Sequence, residues 1–413
     1  MLDANKIISF AVAFQVIVQG CKNILVQGLP FFYSINDSLN TIIMGGALLF
    51  YIFALFASRG NLTPKDTIGV LAFVALTFFF TYLFFPKNFI FIEPTILRTL
   101  ISCFFTFFLV SKLTSFVYLH KYLTRGSLLI TFCGIVYAMI ISSVGHTTTS
   151  EWSSYSMTMS NVMLLSVIWQ LNGFFERKKI VLLVAAILGA AIIFIYGSRN
   201  PLLAIVAFVS IKIIFNSGGN RKSASLAIRV FFLTIVLVFI AYFKIIISFI
   251  ANTLDDFGLG SRTIYYFLNS DTEDITTGRS DIHGSLWNLV FNNPLGLGIA
   301  GDEANIGEQA HSLYLSIFIT YGLFVGIIVL LYLLFQTIKG LRKTSGLNHD
   351  IIIIYFCIVF PRSFTGGDIW INDYLWLFLA LIISSSFQKR INKVNKVLYK
   401  TNGYKKNIKC YKP

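Results

Sequence analysis

Arg199 in "GSRNP", Arg279 and His283 in "TTGRSDIHG", and His311 in "GEQAHSLYL" are residue types with a defined chemistry. An arginine stays charged at any relevant pH and offers a planar fork of donors to a phosphate or carboxylate. Neutral imidazole takes up a proton close to ambient pH and suits the activation of a hydroxyl. His311 stands where an acidic loop gives way to an unbroken apolar run. Its plainer role would be to cap that run or to bond an acid such as Glu308.

Three of these groups, Arg279, His283 and His311, lie within residues 253–311, the longest connection in the chain. Long ordered loops usually serve function. This one carries nine acids, two arginines (Arg262 and Arg279) and no lysine. Keeping Arg while excluding Lys suggests forked recognition of an anion, although arginines paired with neighbouring acids would serve the loop itself. A helix is predicted from about Ser280 to Asn292. Its Ile282, Leu286, Leu289 and Val290 recur at helical spacing, as in a helix lying in the membrane interface. Arg279 falls at its N-terminal edge, where backbone amides favour anions, and His283 follows four residues on, on the same face. The glycines of "NPLGLGIAG" permit close backbone approach. Arg199 has so little loop around it that it must sit at membrane depth or at the headgroup boundary, where such residues mark cavities or snorkel to lipid. Arg362 in "FPRSFTGGDIW" raises the same question, with Asp368 and Asp373 near in sequence. A rival reading places a divalent cation on Asp255 and Asp256, with Asp302 or Glu303 completing the shell.

The elements that must hold these residues are membrane spans. The chain is 56% hydrophobic and 12% charged over 413 residues, about half the charge of an ordinary globular protein. Apolar runs of span length predict an all-α polytopic protein with about twelve transmembrane helices. They lie near 7–32, 39–58, 67–85, 95–119, 128–144, 156–175, 180–197, 201–215, 229–252, 312–338, 350–364 and 370–388. Ile7–Phe32 reads as a retained first span. The chain then divides into spans 1–252, a large outer loop 253–311, spans 312–388 and a basic tail 389–413. With the N-terminus cytoplasmic, 25 of the 33 Lys and Arg fall in inner segments, as the positive-inside rule requires. The net charge of +15 is thus mostly a topology signal, and its scatter over short loops argues against nucleic acid. The tail suits anionic membrane lipids. The five cysteines show no metal-ligand spacing, and related halves of a transporter are not evident.

The ordered series "GSRNPLLAI", "GRSDIHGSLWNLVFNNPLGLGIAG" and "AHSLYLSIFITYGLFVG" resembles the O-antigen ligase/Wzy polymerase superfamily of bacterial membrane glycosyltransferases. The resemblance covers about residues 195–330. It implies a GT-C-like membrane glycosyltransferase architecture with one large periplasmic loop. It also implies transfer of glycan from undecaprenyl diphosphate, with no nucleotide sugar and no metal cofactor. Arg199 and Arg279 match the family's diphosphate-holding positions, and His311 matches the acceptor-activating one. Arg262, His283, Arg362 and Asp368 are secondary candidates. Ser312 stands where many ligases carry Asn. The expected function is a surface-polysaccharide (O-antigen) polymerase of the inner membrane, with both termini cytoplasmic. Its partners would be lipid-linked repeat units, a Wzz-type chain-length regulator and a flippase. The alternatives are the ligase that moves glycan onto the lipid A core and, from another class, the flippase itself.

Overall fold

The structure, a computed structural model, describes residues 3–144, 156–215, 241–256 and 279–401, together with Thr234, Ile264 and Leu268. Every regular element among the described residues is helical. Among the described residues seven helices are long and apolar enough to cross a membrane: α1 (Ala4–Gly28), α2 (Asn36–Ala57), α3 (Lys65–Phe84), α4 (Pro86–Ser111), α5 (Val117–Val144), α12 (Leu313–Lys343) and α13 (Leu347–Thr365). Between and after them come α6 (Met157–Arg177), α7 (Ile180–Tyr196), α8 (Arg199–Phe215), α9 (Phe243–Asp256), α10 (Arg279–Asn292), α11 (Gly301–Ile306) and α14 (Asp373–Thr401). The chain is an all-α, multi-pass membrane protein.

Burial explains why α6 is less greasy than its neighbours. Most of it is hidden inside the bundle, where side chains must satisfy one another rather than please lipid. Gln170 donates to Thr131 Oγ1 (2.7 Å), and Thr131 and Ser166 share a 2.7 Å bond. Trp169 beside them is fully buried. Helices α1, α5 and α6 pack in sequence, α8 lies on α13, and α14 closes the bundle against α4, α12 and α13.

Several boundaries depart from expectation. Helix α4 begins at Pro86 rather than near 95, with Pro94 inside it and a π turn at Leu100–Phe105. Proline suggested a boundary, but membrane helices tolerate one internally. Helix α5 begins at Val117 rather than near 128, so His120, Lys121 and Arg125 are helical. His120 is buried there because Glu176 of α6 meets its Nε2 at 2.9 Å. Helix α14 runs on into the basic tail as far as Thr401.

The two ends of the bundle differ in character. One end gathers Lys112, Lys212 and Lys339, with Lys212 on Asp350 (2.5 Å) and Asn61 on the Lys112 carbonyl (3.3 Å). The other end gathers the turns after α3 and α13 and the segment 293–312. Asn88 donates to the carbonyls of Leu297 and Ile299, both at 2.8 Å, and Thr81 Oγ1 accepts from the Ile299 amide. The antiparallel contact of α8 with α13 carries Arg199 to this same end, opposite the Lys212–Asp350 pair.

Candidate active site

The segment 293–312 is fastened to a break in α12. Gly322, at φ 72°, interrupts the helix. The Leu297 amide bonds the Ile319 carbonyl at 2.7 Å, Gly298 bonds Thr320, and Leu323 bonds the Pro294 carbonyl at 2.9 Å. A Cβ on Gly322 would stand 2.2 Å from the Pro294 oxygen, and one on Gly296 would stand 2.5 Å from the Gly322 nitrogen. The glycines of "NPLGLG" and "ITYGLF" are therefore two halves of one backbone-to-backbone junction.

Helix α10 leads into this junction. Its apolar stripe is real but faces protein: Leu286 and Val290 are buried against Ala310, Leu315 and Ile319, with Ile282 packed alongside. Phe291 and Leu295 are the large apolar residues left exposed. Arg279 opens the helix, one residue earlier than expected; its side chain lies outside the described set, as does the whole of Arg262. His283 is half-buried, and its Nε2 is buried without a hydrogen-bond partner among the described residues.

His311 is exposed and adopts a left-handed φ of 47° immediately before α12. The backbone that leads into it is held by Asp302, 5% exposed, whose Oδ2 accepts the Ala310 amide at 2.7 Å. Burial raises the Asp302 pKa, against the lowering influence of that amide and of the nearby His311. Asp302 thus offers His311 both a fixed backbone and a neighbouring carboxylate.

Glu303, Gln309 and Asp368 come together beside this anchor. Gln309 donates to Glu303 Oε1 at 2.6 Å. Asp368, from the turn between α13 and α14, takes Ser316 Oγ at 2.5 Å and the Trp370 amide at 3.2 Å on Oδ1. Burial, then the Asp302 charge, pushes the Asp368 pKa up to about 7, while the Ser316 bond opposes the shift. Burial likewise raises that of Glu303. The three residues line a cleft with α4, Phe78 of α3 and Trp370. Arg362 is half-buried, its guanidinium carbon 5.6 Å from the Tyr374 ring centre. Arg199, also half-buried, opens α8 just after Ser198, whose Oγ lies 3.1 Å from that of Ser160. Among the described residues no group of three or more His, Cys, Asp or Glu side chains could hold a metal ion. The Asp255 side chain lies outside the described set.

Residues 184–330 match the family model described as O-antigen ligase. The match supports the likeness of this segment to the O-antigen ligase/Wzy superfamily. The match runs from α7 to the middle of α12 and includes Arg199, Arg279, the Gly296–Gly322 junction and His311. No curated protein and no solved structure matched the chain. The O-antigen ligase segment gives the coarse activity: glycan transfer of the ligase or polymerase type by a membrane enzyme. Sequence reasoning singled out Asp368 and mentioned Glu303 as a metal ligand, but it missed Gln309, Asn88 and the anchoring role of Asp302. The acid-rich run "GDEANIGEQAH" was the available signal.

Proposed function

We propose that this protein is a surface-polysaccharide polymerase of the bacterial inner membrane, working on the periplasmic face. It joins a growing glycan on one undecaprenyl diphosphate to a repeat unit on another. Glycan transfer of the ligase or polymerase type is supported by the O-antigen ligase match over 184–330, within which one end of the bundle holds an exposed histidine next to a carboxylate-fixed backbone.

The step follows from the chemistry of those residues. An acceptor hydroxyl attacks the anomeric carbon of the donor glycan. Its oxygen forms the new glycosidic bond, and its proton passes to the His311 imidazole. The bond from the anomeric carbon to the diphosphate breaks, and the electron pair leaves with the diphosphate. Arg199 and Arg279 stabilise the charge that grows there. The diphosphate linkage supplies the driving force, so no nucleotide enters the step.

The test presents the purified protein in liposomes with lipid-linked repeat units, and separately with a lipid-linked glycan plus lipid A core. Chains of several repeat units in the first arm support the polymerase. Product in the second arm alone makes the protein the ligase, and product in neither contradicts glycan transfer.

A further inference from the structure

The cleft beside the His311 anchor has one chemical character. Glu303, Gln309, Asp368 and Thr95 give it polar faces, Phe91 and Trp370 contribute apolar walls, and no described Lys, Arg or His lines it. Each carboxylate commits a single oxygen to the fold. Glu303 uses Oε1 for Gln309, and Asp368 uses Oδ1 for Ser316 and the Trp370 amide. Glu303 Oε2 and Asp368 Oδ2 make no hydrogen bond among the described residues, and neither is sealed from solvent. An ionised carboxylate only accepts and a neutral carboxyl also donates, so the cleft suits hydroxyl-rich ligands and offers a phosphate no described cation. Aromatic walls beside such acceptors fit the face of a sugar ring, apolar on its C–H side and hydroxyl-rich at its rim.

We propose that this cleft is the acceptor-sugar subsite, and that Glu303 and Asp368 take hydroxyls of the sugar that attacks. The inference rests on the function proposed above and says which half of the reaction the cleft serves. The donor's reacting sugar is bonded to its diphosphate, so its subsite must lie among cations. The acceptor's attacking sugar lies at the far end of its repeat unit, away from its own diphosphate, and an acidic cleft costs it nothing. Gln309 also links the cleft to the catalytic position, because it lines the cleft two residues before His311.

The test measures saturable binding of the free repeat-unit oligosaccharide, released from its lipid and dephosphorylated, to the full chain in nanodiscs. Wild type and His311→Ala should bind alike. Glu303→Gln and Asp368→Asn should each weaken binding about tenfold or more, as expected for a lost hydrogen bond to a charged group. In transfer assays the same two variants should raise the acceptor KM and leave the donor KM unchanged. Far-UV circular dichroism and size-exclusion profiles matching wild type exclude misfolding, and Thr95→Val, which leaves both carboxylates in place, should weaken binding in the same direction. No saturable binding by wild type, or equal binding by the two carboxylate variants, overturns the subsite. If the sugar binds as stated but His311→Ala transfers at the wild-type rate, the catalytic reading falls and the subsite stands.

Discussion

At the residue scale, an arginine fork and a point charge are not equivalent. Arg199→Lys and Arg279→Lys are expected to shorten or abolish the polysaccharide at equal protein levels, read from its chain-length distribution on a gel. A normal distribution in both variants would remove the diphosphate-holding role. A second residue-level expectation concerns pH. The Asp368 carboxyl titrates near 7 in the folded protein, against an ordinary value of 3.8. The folded state therefore holds a proton that the unfolded chain releases between those values. Stability contributed by this group is complete below about pH 4 and is lost as pH rises through 7. Asp368→Asn should flatten the fall in Tm between pH 4 and 7 in detergent solution, and an unchanged slope would assign that fall to Asp302 and Glu303 instead. Arg199 and His311 were legible in the sequence because each stands at a sharp change from polar to apolar residues. The cleft was not, since Ser316 and Asp368 are 52 residues apart and meet only in the folded bundle.

At the element scale, the junction between the 293–300 turn and α12 determines where His311 is presented. Gly322→Ala would force a Cβ into the Pro294 oxygen at a left-handed φ. Backbone strain of that kind costs about 1–3 kcal/mol, so Tm should fall clearly and transfer with it. Gly284→Ala is the control, because a Cβ there meets nothing within 4 Å. Asn88→Leu strands the buried carbonyls of Leu297 and Ile299, at about 1–3 kcal/mol for each unpaired group. Wild-type Tm in that variant would show that the turn holds without its tether. The helix after Arg279 was readable from its apolar period. What the stripe faced was not, because hydrophobicity does not distinguish a lipid surface from the first turns of α12.

At the scale of the whole molecule, composition and basic-residue placement carried the fold class, and the bundle keeps Lys112, Lys212 and Lys339 at the end opposite the 293–312 segment. Span edges were less legible, because His120 and Lys121 looked like loop residues until their helix packed beside Glu176. The proposed orientation expects a reporter that works only in the periplasm to be active when fused near Asn269, outside the described residues; activity there of a reporter that works only in the cytoplasm would overturn the topology and every site assignment built on it. The most direct test of the central claim is single-turnover glycan transfer in proteoliposomes by wild type, His311→Ala and His283→Ala. Loss of a general base lowers rate by about 10²–10⁴. The account predicts that His311→Ala loses transfer by that factor while still binding lipid-linked donor, and that His283→Ala retains most of it. Wild-type rate from His311→Ala, with His283→Ala inactive or not, would contradict it.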